Sequence, residues 1–372
     1  MSERNILEET LISRRDFVRT SALGAAALVA GVNAAGTTNV PSPRPLNYNE
    51  NMEYRRLGKT GLMVSAVCLG GHWKRVNTML KTPVNQDDYS GEEYKWPEFM
   101  KNRSDVVTRC IEVGINYVDA CNGAEIMVYS KALKGRRDKM YLGYSWHLRE
   151  SRYPEWRTAK KLLEGLDMGM REAQLDYIDL WRISLPMGQI SDLDELEITE
   201  HGAVEALERA KKQGKVRFTG ISTHNRVWLK SMIEDYSQQM EAVLTPYTAG
   251  SKTLPHESLF ETVKKHDTGV LGIKPFADNN LFQGNSAPNS PTAVEDSRRA
   301  RLAIRYILSN PAITAPMPGL VSKEQVDNVA KAVMERKKFG DKGLAAELGN
   351  ATDQMWAKLP SHYEWLRDWQ HV

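Results

Sequence analysis

The sequence predicts a closed parallel (β/α)8 barrel, the TIM-barrel form of the α/β class, and three observations carry that expectation. Residues 114–120 read Gly-Ile-Asn-Tyr-Val-Asp-Ala after an amphipathic run over 105–113. The same order of helix, glycine and β-rich segment returns at 213–222 and 267–274. Apolar residues alternate between strand and helix spacing along most of the chain, which implies right-handed crossovers and one parallel sheet closed on itself. The length, 372 residues, is also sufficient, since such barrels take about 250.

Strands are expected near 64–69, 117–120, 140–144, 177–183, 218–222, 242–245, 269–274 and 315–317. Between them the apolar positions recur at helical spacing. Val204, Leu207 and Ala210 precede Gln213 and Gly214, and Leu302, Ile304, Ile307 and Leu308 precede Pro311. Asp119 then falls at the carboxyl end of a strand, the end where a parallel barrel does its chemistry.

The first 34 residues read as a leader outside the fold. Ser13-Arg14-Arg15-Asp16-Phe17-Val18-Arg19 resembles the twin-arginine export signal, and the apolar run 23–32 is too short for a permanent membrane span. The expected location is therefore the periplasm or another exported compartment, with the twin-arginine export machinery as a partner. Residues 35–51, rich in Pro, Asn and Thr, read as a linker. The barrel is expected over 52–338, with a lid insertion over 72–102 carrying Trp73, Tyr89, Tyr94 and Trp96. A helical C-terminal extension follows over 339–372, packed on the barrel exterior.

The 50 basic residues against 47 acidic ones leave a formal charge of +3, with no basic run, which argues against nucleic-acid binding. Cys68, Cys110 and Cys121 are too few for a disulfide framework. Cys68 and Cys110 lie in apolar surroundings, whereas Cys121 sits at the expected mouth, two residues past Asp119.

Five stretches resemble the aldo/keto reductases. They are Arg55-Arg56-Leu57-Gly58-Lys59-Thr60-Gly61-Leu62 with Leu69-Gly70-Gly71, Gly114-Ile115-Asn116-Tyr117-Val118-Asp119, Leu175-Asp176-Tyr177-Ile178-Asp179-Leu180, Gly214-Lys215-Val216-Arg217-Phe218-Thr219-Gly220-Ile221-Ser222, and Pro318-Gly319 with Asn328. The resemblance implies hydride transfer between NADP and a carbonyl, sugar or polyol substrate. It also implies a Tyr that gives the proton, an Asp and Lys that tune it, and a His that orients the substrate. Asp119 matches the Asp. Ala124 stands at the Tyr spacing, the stretch 142–147 has no Lys, and Ser184 falls where the His belongs. For the cofactor, the resemblance implies Ser222 and Thr223 at the nicotinamide, and Gly319, Ser322, Lys323, Gln325 and Asn328 at the adenosine and phosphate end. The usual Gln and stacking aromatic appear as Leu244 and Ile273.

A rebuilt acid and base set is thus expected from Asp119, Tyr144, His147, Ser184 and Lys274, with His72, Trp73, Cys121, Trp146, Arg182 and His224 facing the substrate. In that set Lys274 or His147 would be the cation beside Asp119, and Asp119→Asn would cost less than about 2 kcal/mol of stability. Three His at separate strand ends leave metal ligation open, but no metal is assigned. Two further readings stay open: a lyase, isomerase or hydrolase using Asp119 with the His cluster, or a catalytically silent binding barrel.

Overall fold

The computed structural model describes residues 44–73, 75–80, 95–186, 190–285, 287, 289–368 and 372. The leader, most of the linker, and the centre of the insertion with Tyr89 and Tyr94 lie outside the described residues. Seven parallel strands run in sequential order: β3 (Tyr117–Ala120), β4 (Tyr141–Tyr144), β5 (Ile178–Ser184), β6 (Val216–Ser222), β7 (Ala242–Pro246), β8 (Gly269–Ile273) and β9 (Ala315–Pro316). Residues 68–70 close the ring between β9 and β3. Leu69 bridges Val118, Gly70 bridges Gly319, and backbone bonds join Cys68 to Pro316 and Leu69 to both Tyr117 and Asp119. The fold is the expected (β/α)8 barrel.

The first strand differs from the expectation of one run over 64–69. The Ser65 hydroxyl donates to Val67 O at 2.7 Å and the Asn116 amide takes the Ser65 N–H, turning the chain there. What precedes the turn is an antiparallel hairpin, β1 (Tyr54–Arg56) with β2 (Met63–Ser65). This hairpin plugs the barrel floor. Leu57, Leu62 and Val64 pack with Cys68, Tyr117, Tyr141, Leu180, Leu244, Leu271 and Met317 as the barrel interior, while a larger apolar layer lies between strands and helices. Two separate cores follow from the period of two along each strand.

The described parts of the insertion are the helix Val76–Leu80 and the start of the helix Pro97–Glu112. Trp73 is buried edge-on against Phe99 and Tyr129, with Arg103 over its ring. At the other end of the chain, the helix Leu344–Ala357 buries Trp356 against Gly250, where a Cβ would collide with the indole. The last residue is tied down, Val372 exchanging backbone bonds with Lys252 and Leu254 at 2.7 and 2.6 Å. Among the described residues, no helix is long and apolar enough to cross a membrane.

Gly58 and Gly61 both have left-handed backbone, at φ 48° and 68°. Only Gly58 is also crowded, because a Cβ there would collide with the backbone nitrogen of Gly269. Gly61→Ala should therefore cost about 1–2 kcal/mol from backbone conformation alone, and Gly58→Ala clearly more. Chemical denaturation of the two variants measures the difference; equal costs would mean that the hairpin does not seat against β8 this closely.

Candidate active site

Alternation along β3 turns Tyr117 and Asp119 into the barrel, and alternation along β5 turns Leu180 and Arg182 inward. β4 lies between them, with Gly143 in register with Asp119 and with Leu180. Gly143 leaves a gap: a Cβ there would collide with the Asp119 carboxylate and the Tyr117 hydroxyl. Arg182 reaches across that gap. Its Nε donates to Asp119 Oδ1 at 3.2 Å and its Nη2 donates to Oδ2, both groups being almost fully buried. Burial pushes the Asp119 carboxyl above the usual carboxylate range, and Arg182 offsets part of that rise. Burial opposes the guanidinium too, but Asp119 holds it firmly charged.

Arg182, not Lys274 or His147, is therefore the cation beside Asp119. For the same reason a larger stability cost is now expected for Asp119→Asn than its strand-end position suggests, since removing one member of a buried pair leaves the other uncompensated.

Next to this floor stands a second group. Cys121 follows β3, and Asn122 caps the helix Gly123–Ala132 by accepting from the Glu125 N–H at 2.9 Å. Glu125 occupies the third position of that helix and folds back. Its Oε2 accepts from the Cys121 amide at 2.7 Å, and its Oε1 accepts from the His72 amide and lies 2.7 Å from His72 Nδ1. Gly71 permits this, because a Cβ there would collide with the Glu125 carboxylate. The Cys121 sulfur lies 3.3 Å from His72 Nδ1 and 3.7 Å from Nε2. Burial alone would raise the Glu125 carboxyl, yet His72 and the two amides bring it down to about 2. Among the described residues, this is the group whose His, Cys and carboxylate donors all lie within 4.8 Å of one another.

Both groups line a cavity of about 490 Å³ at the carboxyl end of the strands, a volume within the range of small-molecule sites. Also in its wall are His147, Ser184, Ser222, His224, Lys274 and Gly319. His147 is not a free acid. Its Nδ1 sits 2.7 Å from Cys121 O, and burial lowers its pKa. Burial, then Lys274, lowers the His224 pKa to about 3, and its ring stacks on Trp365 at 4.5 Å. That contact shows that the C-terminal extension does not lie wholly on the exterior: His362, Tyr363 and Trp365 enter the cavity wall. Lys274, with left-handed backbone at φ 56°, places its Nζ 3.4 Å from Tyr363 Oη.

Three of the residues expected for catalysis or substrate contact do not line the cavity. Tyr144 follows inward-facing Gly143 and so faces out, its hydroxyl against Gly169 on the helix Ala159–Glu172. Trp146 wedges outside, between Gly123 and Gly169, with Arg149 over its ring at 3.9 Å. Trp73 is core. At the cofactor end, Ser222 and Gly319 line the cavity, whereas Thr223 is buried beside it and accepts from the Asn225 N–H. Ser322 caps the helix Lys323–Phe339, the Gln325 side chain accepts from Val321 N at 2.9 Å, and Asn328 accepts from Arg301 at 2.7 Å. Lys323 is exposed at the head of that helix.

A carboxylate–guanidinium pair at the strand ends thus stands beneath a cavity of small-molecule size, and comparison with known proteins gives the family. The aldo/keto reductase family model matches residues 96–342. The chain belongs to the aldo/keto reductase family. L-galactose dehydrogenase of Arabidopsis thaliana is 23% identical over 312 residues, covering 78% of this chain and 90% of that protein. Two solved structures share the fold. An aldo-keto reductase from Bacillus halodurans in its holo form has a TM-score of 0.57 at 21% identity, covering 84% of this chain and 99% of that one. An aldo-keto reductase from Klebsiella pneumoniae in complex with NADPH has a TM-score of 0.58 at 19% identity, covering 81% and 94%.

Proposed function

We propose that this chain is an exported oxidoreductase that binds NADP(H) and acts on a small carbonyl, sugar or polyol, with acid and base groups unlike those its family resemblance implies. The observation that carries the reading is that Ser222, Gly319 and the Asp119–Arg182 pair line one cavity. The residues fit the nicotinamide half of the cofactor: Ser222 offers a hydroxyl in the wall, and Leu244, Ile273 and Met317 offer an apolar surface beside it. For the adenosine and phosphate end, Lys323 and the helix start behind Ser322 supply positive potential. When bound, the cofactor would supply or accept a hydride.

The chain's own residues then bind the substrate and handle its proton. The Asp119–Arg182 pair fixes the floor. Reduction of a carbonyl needs a proton at oxygen, and the Tyr144 hydroxyl is on the wrong side of the sheet to give one. Tyr363 is in the wall, and Lys274 donates to its oxygen at 3.4 Å. An ammonium there faces the charge that a departing phenolic proton would leave behind. Tyr363 with Lys274 is thus the acid pair of this reading, with Tyr363 lying beyond the residues matched by the family model.

Fluorescence titration of the purified protein with NADPH should saturate well below 1 mM; no binding up to millimolar concentration overturns the oxidoreductase reading. Tyr363→Phe should leave that affinity within about twofold while slowing NADPH consumption with a panel of aldoses and small aldehydes by roughly 10²-fold or more, the usual worth of a positioned acid. An unchanged rate in that variant would remove Tyr363 from the mechanism.

The proposed organisation is a twin-arginine signal over 1–34, a linker over 35–51, the barrel over 52–338 with a lid insertion over 72–102, and the extension over 339–372. What supports export is the Arg14-Arg15 motif followed by the short apolar run. Fractionation of cells making the full chain should recover it outside the cytoplasm. Arg14→Lys with Arg15→Lys should retain it inside, and identical fractionation of both forms would contradict export by this route.

A further inference from the structure

We infer that His72, Cys121 and Glu125 form a site for a single transition-metal cation of the zinc type, opening into the cavity. The three donors come from two places in the chain, the loop after the first barrel strand and the start of the helix Gly123–Ala132. They are an imidazole, a thiol and a carboxylate, the mixed set that suits zinc and its neighbours rather than magnesium or calcium, which prefer oxygen alone. With metal–sulfur and metal–nitrogen bonds of about 2.3 and 2.0–2.1 Å, the edges of a tetrahedral site come to about 3.4–3.6 Å. A cation takes one imidazole nitrogen, and the Cys121 sulfur lies 3.3 Å from His72 Nδ1 and 3.7 Å from Nε2, so either choice stands close to that spacing.

The edge from His72 Nδ1 to Glu125 Oε1 is 2.7 Å, a hydrogen-bond length. A cation would take the place of the proton shared there and open that edge by about 0.6–0.8 Å, releasing protons as metal binding does. Glu125 is already set for the role. Its two backbone amide donors fix the carboxylate in place, and a carboxylate has about four acceptor sites, so coordination remains open to it. The charges also balance, since a divalent cation with a thiolate and a carboxylate is neutral beside the neutral Asp119–Arg182 pair. His72 is half-exposed and Cys121 partly so, and both line the cavity, so a fourth coordination position would face the substrate space.

Such a cation would polarise an oxygen of the substrate, a carbonyl or one of the hydroxyls of a polyol. That use rests on the oxidoreductase reading; the binding itself does not. The test is a titration of the metal-stripped full chain with Zn²⁺ and, separately, Co²⁺, followed by metal content after desalting and by absorption. One equivalent per chain, with a sulfur-to-cobalt charge-transfer band in the near ultraviolet, is expected. Cys121→Ser should abolish the band, and Cys121→Ser and His72→Gln should each weaken Zn²⁺ binding by at least 100-fold while circular dichroism shows an unchanged fold. Glu125→Gln should weaken it as well, but because Glu125 also braces two amides, the Cys121 variant is the deciding one. No retained metal, or Zn²⁺ bound equally by wild type and Cys121→Ser, overturns the site. NADPH titration of the same preparation keeps the two ideas apart: NADPH bound without zinc sinks the cation site alone, and zinc bound without NADPH sinks the oxidoreductase reading alone.

Discussion

The ion pair that Arg182 makes with Asp119 across the face of β4 is the constraint on which the rest of the site depends. Two charges in a barrel interior are costly to desolvate, and they are tolerated because each is the other's partner at hydrogen-bond distance. The geometry needs three things together. Asp119 and Arg182 must both face inward, one strand must separate them, and that strand must carry no side chain at the crossing point. Gly143 meets the last condition. With the floor neutralised internally, the other polar groups of the cavity stand in its walls, among them the cluster around Glu125 and the pair of Lys274 with Tyr363.

Glycines without other obvious purpose acquire one in this light. Gly143 makes room for the ion pair, and Gly71 makes room for the Glu125 carboxylate beneath the His72 amide. Both are close-approach positions rather than turns, since neither has a positive φ. The site is therefore encoded as much by absent side chains as by the polar ones, and a larger residue at either position would displace a buried carboxylate.

The barrel was legible because strand and helix periodicities are local, and Asp119 because its position at a strand end follows from them. Arg182 was legible as a mouth residue but not as the partner of Asp119, because that depends on the register of β3, β4 and β5. The same register explains Tyr144: strand-end position alone does not say which way a side chain points, and one residue of offset from Gly143 sends it outward. Glu125 reads in sequence as an ordinary first-turn carboxylate after an Asn cap; its spacing from Asn122 signals a capping arrangement, but the return to His72, 53 positions away, has no local signature. The entry of Tyr363 and Trp365 into the wall is likewise a long-range fact, set by how the extension docks on the 252–254 loop.

The claim that the floor is a self-compensating ion pair is tested most directly by a double-mutant cycle on folding stability, using Asp119→Asn, Arg182→Met and the double variant. Each single change should cost about 3–5 kcal/mol, because it strands a buried charge or leaves its partner group unmatched, and the double variant should cost much less than the sum, with a coupling of about 2 kcal/mol or more. Additive costs, or a single Asp119→Asn cost below about 1 kcal/mol, would show that the two groups do not hold one another and would contradict the account of the site built on them.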